Sequence, residues 1–299
     1  MKRFIRYFKK QKTNIVERQQ ETDFKHIHHV SANYLNHFFK NYKPVFILNT
    51  GRSGSAFIKT IFDQFDSIEA HHEAFPNLFL LSNFAYSNQQ NIEALEKIFE
   101  AARMELILKS AIENKIYIES NQCLVFYVNQ IKHLFPQARF IHLTRHPGDF
   151  VRSAIMKGWH KNDSVWELGR IKSSNKQKWD SFSQTEKLSW VWHSTHNYIE
   201  QFKLIHNDSF LTLRLEDLIA DTVNFKELLT FIGVDNHLTN KQIEDVLSHR
   251  VNKLTISKDE PNNMFKTSDY PKYNKWNAEE KDKLKNIVQE SSDKYNYEL

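Results

Sequence analysis

The chain has 299 residues, of which 40% are hydrophobic and 26% are charged, and its formal net charge is +5. This charge suits an anionic ligand but does not indicate a nucleic-acid partner. The single cysteine, Cys123, excludes an intramolecular disulfide and leads us to expect a cytoplasmic location. No stretch reaches the roughly 18 apolar residues of a membrane helix. The basic start "MKRFIRYFKKQKTN" lacks the apolar core of a secretory signal, and we expect from it at most a weak contact with a membrane surface.

The predicted secondary structure alternates strands and helices along the chain. In chain order it consists of a strand at 44–49, helices at 55–66 and 91–113, a strand at 115–120, a helix at 124–135, a strand at 138–145, helices at 148–159 and 183–206, and a strand with a turn at 210–218. Such alternation favours a single α/β domain, in which helices cover both faces of a mainly parallel sheet. We expect this domain over 43–299, preceded by a basic and polar leader over 1–42.

The stretch "FILNTGRSGSAFIKTIF" has the outline of a strand, a tight loop and a helix. Gly51 and Gly54 allow the backbone to turn tightly, and Ser55 stands at the helix start, where free N–H groups favour an anion. The Walker pattern for ATP phosphates is absent, because Asn49 replaces its first glycine and Ser55 its lysine. Arg52 supplies a positive charge from within the loop instead. Taken alone, these residues fit either an anion-binding loop or a plain turn with a serine cap.

A second strand-to-helix segment, "FIHLTRHPGDFVRSAIMKGW", also carries groups that bind anions. Arg145 ends the predicted strand and Ser153 lies on the second turn of the helix, so the two side chains can share one phosphate. In isolation, Arg145 also fits a salt-bridge partner and Ser153 a surface residue of the helix. Ligands of parallel sheets bind at the carboxyl ends of the strands, which places this segment beside Arg52. Two anion sites at one sheet edge predict a nucleotide with phosphates at two positions.

Together the two segments resemble the sulfotransferase family that uses 3′-phosphoadenosine 5′-phosphosulfate (PAPS). In that family, the pattern R/K-S-G-T/S in a strand–loop–helix holds the 5′-phosphosulfate. A strand–helix with Arg and Ser eight positions apart holds the 3′-phosphate. The matching residues here are Arg52, Ser53, Gly54, Ser55, Arg145 and Ser153. The resemblance implies a P-loop-like sulfotransferase fold and an enzyme that transfers a sulfonate group from PAPS to an acceptor hydroxyl, with PAP as product and no required metal.

Further stretches resemble the family in the same order, over roughly 44–290. They are "LFPQARFIHLTRHPGDFVRS", "LRLEDLIADTVNFKELLTFIGV" and "NKWNAEEKDKL". Two positions of the donor site depart from the pattern, because Ala56 replaces a second hydroxyl and Leu215 replaces an aromatic residue. In the late stretch, Lys275 and Trp276 are expected to cover the nucleotide. Two nearby lysines are alternatives for the donor contact, Lys266 and Lys272.

The acceptor hydroxyl must lose a proton, so a base is expected near the loop that contains Arg52. Glu73, in "AHHEAFPN", follows at a distance that lets the helix end and a short strand return to the same edge. In the tyrosylprotein and glycan branches of the family, a glutamate base falls at a similar place. His72 and His71 are rival bases, because the pKa of histidine, about 6.5 against about 4.3 for glutamate, suits neutral pH better. We expect Glu73 to be the base, while Arg52 stabilises the charge that develops on the donor.

We expect the acceptor to be a carbohydrate or other small metabolite, bound by the loops 73–90 and 160–182. A protein tyrosine is the alternative acceptor. A nucleotide kinase with a degenerate phosphate loop and a non-catalytic nucleotide-binding protein are the alternatives from other classes. The "HIHH" run at 26–29 stands without further metal ligands, so we expect no metal, and Cys123 lacks the histidine pattern of a nucleophile. The sequence names neither the acceptor nor the oligomeric state.

Overall fold

A computed structural model describes residues 32–161, 165–234, 238–248 and 270–299. Most of the expected leader, with the "HIHH" run, and Lys266 lie outside the described residues. Within these ranges, no helix is long and apolar enough to cross a membrane.

Five parallel strands form the central sheet. They are β1 Val45–Leu48, β2 Ile68–His72, β3 Ile116–Ser120, β4 Arg139–Thr144 and β5 Phe210–Arg214. Their order across the sheet is β2-β3-β1-β4-β5, so that β1 is central and pairs with β3 and β4. This arrangement confirms the predicted α/β fold with a parallel sheet. The carboxyl ends of β1, β2 and β4 therefore lie along one edge, where the sequence predicted the site.

Thirteen α-helices occur in the described residues and surround the sheet. They are α1 Ala32–Asn41, α2 Ser55–Phe62, α3 Phe79–Ser87, α4 Ile92–Ile112, α5 Val128–Leu134, α6 Pro147–Ile155, α7 Val165–Leu168, α8 Lys176–Ser181, α9 Gln184–Ile205, α10 Leu215–Ala220, α11 Thr222–Ile232, α12 Asn240–Ser248 and α13 Ala278–Lys294. Short 3₁₀-helices lie at Gln122–Tyr127, Asn207–Ser209 and Tyr273–Lys275.

The side chains of β1 alternate between two apolar cores, one on each face of the sheet. Phe46 and Leu48 pack with residues of α4, α5, α6, α9 and α13. Val45 and Ile47 pack on the other face with residues of α2, α10, α11 and α12. All four side chains of this central strand are buried, which explains why the strand reads as a continuous apolar run.

Several elements end earlier or begin differently than predicted. The stretch predicted at 210–218 as a strand and a turn is a strand to Arg214, after which helix α10 follows directly in place of the turn. The helix predicted at 124–135 begins as a 3₁₀-helix, whose start is fixed by the Asn121 side chain accepting a hydrogen bond from the Cys123 N–H. At the other end of the chain, α1 brings Phe38 into the core, where its ring lies 5.5 Å from that of Phe135. The expected leader thus ends in a helix that packs on the domain.

Candidate functional site

The loop between β1 and α2 turns tightly, so that its backbone N–H groups can contact a ligand. Three of its residues, Gly51, Arg52 and Gly54, have left-handed backbones with φ of 74°, 53° and 84°. The Gly51 N–H donates to the Asn49 side chain at 2.7 Å, and the Ser53 hydroxyl donates to the Gly51 carbonyl at 3.0 Å. These bonds hold the turn. Gly54 gives α2 no side-chain cap, so the first N–H groups of the helix are left for a ligand or water.

A left-handed backbone favours glycine at two positions of this loop, and close side chains add to that preference. A Cβ on Gly51 would lie 2.1 Å from Oε1 of Gln122 and 3.0 Å from the Trp159 ring. A Cβ on Gly54 would lie 2.7 Å from a methyl group of Leu215. Leu215, which replaces the aromatic residue of the family pattern, thus packs against Gly54 of the loop.

Arg52, Arg145 and Ser153 meet at one place, although they lie far apart in the sequence. Nε of Arg52 donates to Oγ of Ser153 at 3.0 Å, and Nη1 of Arg145 donates to the Arg52 carbonyl at 2.6 Å. Burial and the charge of Arg145 lower the pKa of Arg52, whereas the charge of Glu73 raises it. The structure therefore brings the two predicted anion-binding segments into contact.

These two half-buried arginines differ from two other arginines of the site region in forming no ion pair with a carboxylate of the described residues. Arg103 and Arg170 form ion pairs with Glu119 and Glu167. Across the described ranges, neither Arg52 nor Arg145 forms an ion pair. The repulsion between these two cations affects the pKa of Arg52 more than the attraction of the Glu73 charge does, and a bound anion would relieve that repulsion.

The remaining residues of the predicted donor site have varied exposure. Ser53 is fully buried within the loop, and Ser55 is buried at the first position of α2. Ala56 is exposed beside it. A small side chain at this position leaves the start of α2 accessible but adds no hydrogen-bond donor.

The late segment lies over the start of α6. The Tyr273 ring would contact any side chain at Gly148, and Nε of Arg152 donates to the Tyr270 carbonyl at 2.9 Å. Trp276 is buried and its indole N–H donates to the carbonyl of Pro271, so its polar group is engaged within the segment. Two lysines of this segment are exposed, Lys272 and Lys275. The donor contact of Lys275 and Trp276 stays a prediction.

The candidate bases lie at the carboxyl end of β2, where His71 and His72 are its last two residues and Glu73 follows. Glu73 is exposed and has a left-handed backbone with φ of 50°, and its N–H donates to the Ser120 carbonyl at 3.1 Å. Nδ1 of His72 lies 3.2 Å from the same carbonyl, which accepts a hydrogen bond if this nitrogen carries the proton. His71 packs its ring 5.0 Å from that of Tyr117, and burial lowers its pKa, although neighbouring carboxylates raise it. His71 and His72 are both half-buried, whereas Glu73 is exposed.

A small cavity of about 30 Å³ lies beside the loop, next to Asn49 and Thr50. Trp159, which contacts Gly51, forms part of its wall together with Arg170. The Arg170 guanidinium lies 3.7 Å from the centre of the Trp159 ring, and its Nε donates to Glu167 at 2.9 Å. Burial lowers the pKa of Arg170 and the charges of Glu167 and Glu73 raise it.

The sequence pointed to 160–182 as an acceptor loop, but no pattern identified Arg170 or Gln122 individually. Their contacts arise from packing between distant segments. Cys123, which also lines the cavity, is buried, and burial raises its pKa to about 12. It is therefore a thiol rather than a thiolate at neutral pH. Among the described residues, no group of three or more His, Cys, Asp or Glu side chains could hold a metal ion.

Comparison with known proteins identifies the family. A sequence model described as the sulfotransferase family matches residues 44–237. The chain belongs to the sulfotransferase family. This match confirms the family that the sequence resembles. No curated protein matches this sulfotransferase.

Solved sulfotransferases are similar to this chain at low sequence identity. The sulfotransferase domain from the curacin biosynthetic pathway has a TM-score of 0.50 and 16% identity, over 87% of this chain and 99% of that one. A sulfotransferase from Alicyclobacillus acidocaldarius has a TM-score of 0.44 and 11% identity, over 87% and 98% of the two chains. The mouse sulfotransferase SULT7A1, complexed with PAP, has a TM-score of 0.46 and 13% identity, over 87% and 89%. The first of these similarities supports the sulfotransferase fold.

Proposed function

We propose that this sulfotransferase transfers the sulfonate group of PAPS to a hydroxyl of a carbohydrate or other small metabolite. The observation that carries the proposal is the pair of cations Arg52 and Arg145, which lie together without a carboxylate partner in the described part of the chain. A ligand with phosphate-type groups at two positions fits this arrangement. PAPS has such groups at its 5′ and 3′ ends.

The two ends of the donor would have different partners. The tight loop between β1 and α2 and the uncapped start of α2 offer backbone N–H groups for the 5′-phosphosulfate, and Arg52 adds a positive charge. Arg145 and Ser153 would hold the 3′-phosphate. The Ser153 hydroxyl accepts its hydrogen bond from Arg52, so its own proton is available for a phosphate oxygen.

The proposed transfer is a displacement at sulfur. The acceptor oxygen forms a bond to sulfur while the bond from sulfur to the bridging phosphate oxygen breaks, and that oxygen keeps the electron pair as PAP leaves. The proton of the acceptor hydroxyl passes to the carboxylate of Glu73. Arg52 and the loop N–H groups would stabilise the negative charge on the departing phosphate.

Two features support Glu73 as the base. Its charge raises the pKa of both Arg52 in the donor loop and Arg170 in the wall of the cavity, so it acts on both. It is also exposed, as a group that receives a proton from a bound acceptor must be. His72 is the rival, because a hydrogen bond from Nδ1 to the Ser120 carbonyl would leave Nε2 free to accept a proton.

Exchange of each candidate base tests this assignment. We expect Glu73→Gln to lower the single-turnover transfer rate by about 10²–10⁴-fold and to leave PAP affinity unchanged, since general bases contribute in that range. His72→Gln is the matched control and should keep most of the rate. A normal rate for Glu73→Gln together with a large loss for His72→Gln would assign the base to His72.

The donor assignment is tested by calorimetric titration with PAP, ADP and AMP, followed by transfer of ³⁵S from labelled PAPS to a panel of saccharides, phenols and a tyrosine peptide. Tight PAP binding with weak ADP binding, and transfer to a saccharide or small alcohol, are the expected results. Preference for ADP would favour the nucleotide kinase, and PAP binding without transfer to any acceptor would favour a non-catalytic protein. Transfer to the tyrosine peptide alone would make it a protein-tyrosine sulfotransferase.

A further inference from the structure

A buried ion pair lies directly behind the segment that carries Glu73. Arg103, on α4, and Glu119, on β3, are both fully buried. Nε and Nη2 of Arg103 donate to Oε2 and Oε1 of Glu119 at 2.5 and 2.9 Å. This two-point pairing fixes the orientation of both side chains.

The carboxylate of Glu119 accepts hydrogen bonds from more groups than its ion-pair partner. The Tyr117 hydroxyl donates to Oε2 at 2.7 Å, and the Asn121 amide donates to Oε1 at 2.9 Å. The backbone N–H of Ala74 donates to Oε1 at 3.3 Å. All of these groups are donors, so the position requires an acceptor on both oxygens, which a glutamine side chain cannot supply.

The ion pair holds the backbone of the residues that follow Glu73 in the chain. Glu119 binds the N–H of Ala74, the next residue, and Nη1 of Arg103 donates to the carbonyl of Pro76 at 2.7 Å. A buried ion pair is in itself weak evidence for stability, because an apolar pair of similar volume often serves as well. Its contacts with the 73–76 segment give this pair a different role.

Glu73 itself needs such support. Its left-handed backbone, with φ of 50°, is a conformation that residues with a side chain rarely adopt and that persists only where the surroundings impose it. The Glu73 N–H is held by the Ser120 carbonyl, and the Ala74 N–H is held by Glu119. These two bonds therefore fix the direction in which the Glu73 side chain leaves the backbone.

We propose that the Arg103–Glu119 pair positions the base: it fixes the backbone from Glu73 to Pro76 and so sets where the Glu73 carboxylate stands relative to Arg52. Its effect on the transfer rate rests on the proposed role of Glu73. Its effect on the backbone does not. Arg103 and Glu119 are positioning residues, since they are buried behind the segment.

The first test measures hydrogen exchange of the Glu73 and Ala74 amides by mass spectrometry. We expect Glu119→Gln to speed this exchange about tenfold, because a local hydrogen bond that protects the segment is lost. Glu119→Asp, which keeps the carboxylate, should restore part of the protection. Arg139→Met is the matched control. Arg139 lies at the amino end of β4, and its partly buried guanidinium donates to the Phe231 carbonyl. Unchanged exchange in Glu119→Gln would overturn the proposal.

Should Glu119→Gln fail to fold, the double variant Arg103→Met with Glu119→Met replaces the pair by apolar side chains and is measured in the same way. We expect faster exchange of the two amides. PAP affinity should stay within about twofold of the wild type, since neither Arg103 nor Glu119 belongs to the proposed donor site. Exchange at the wild-type rate in this double variant would contradict the inference.

The second test is a double-mutant cycle on transfer from labelled PAPS to the acceptor found in the panel. Glu119→Gln should lower the rate about 10–100-fold in the native background, as expected for a misplaced catalytic group. In the Glu73→Gln background it should lower the rate less than about twofold, because the base is already absent. Equal losses in both backgrounds would mean that Glu119 acts only on overall stability. If Glu73→Gln alone transfers normally, the base assignment fails, while the exchange result still decides the role of the pair.

Discussion

Removal of the Arg145 guanidinium distinguishes the proposed 3′-phosphate site from the proposed 5′-phosphosulfate site by experiment. Nη1 of this residue donates to the Arg52 carbonyl at 2.6 Å, so Arg145→Met also removes one support of the phosphate loop. A hydrogen bond of this kind contributes about 1 kcal/mol, which is roughly fivefold in affinity for any ligand of the loop. A charge-assisted bond to a 3′-phosphate contributes a further ~1.5–3 kcal/mol, or about 10–100-fold. Only a ligand with a 3′-phosphate should suffer both losses.

The assay compares calorimetric affinities of PAP and of adenosine 5′-phosphosulfate, which lacks the 3′-phosphate. We expect Arg145→Met to weaken PAP at least about tenfold more than adenosine 5′-phosphosulfate. Arg139→Met, at the opposite end of the same strand, controls for loss of an arginine and should leave both affinities near the wild type. Equal losses for the two ligands would refute the assignment of Arg145 to the 3′-phosphate.

Three further changes test the loop and the fold around it. Arg52→Ala should weaken PAP by at least about tenfold and abolish transfer, with unchanged circular dichroism, because it removes the charge of the loop. Gly54→Ala should lower the free energy of unfolding by about 1–2 kcal/mol in urea, since φ is 84° and the new Cβ would meet Leu215 at 2.7 Å. An unchanged urea midpoint would contradict that packing. The close contact with His142, whose Nδ1 lies 3.3 Å from the carboxylate, lowers the pKa of Glu200 from 4.5 to about 2, although burial raises it. Its contribution to stability is therefore complete above about pH 4.5 and lost as the pH falls toward 2. Glu200→Gln should lower the urea midpoint at neutral pH, and the difference from the wild type should shrink by about pH 3; a constant difference would contradict the titration.

The local patterns predicted most of the elements because their causes are local. The apolar run of β1, the glycines of the loop and the helical spacing after Ser55 each depend on neighbours in the sequence. Element ends were less predictable. The turn predicted within 210–218 is the start of a helix after Arg214, and the apolar side chains of this helix, Leu215 and Leu218, pack into the core.

The candidate site shows the same division. The sequence by itself determined that a loop without the Walker lysine carries Arg52, and that a second strand-to-helix segment carries Arg145 and Ser153. Contact between these groups was predicted only through the rule that parallel strands end at one edge. The hydrogen bond between Arg52 and Ser153, 101 positions apart, depends on how α2 and α6 lie against the sheet.

Other features were decided by the tertiary structure alone. No sequence pattern pairs Arg103 with Glu119 or places Arg170 against Trp159 in the wall of the cavity. These side chains meet because strands and helices distant in the chain pack together, and periodicity records which face of an element is buried but not which partner buries it. The sequence thus determined the fold and the two segments predicted to bind anions, whereas the packing of the folded chain decided which buried charges lie beside them.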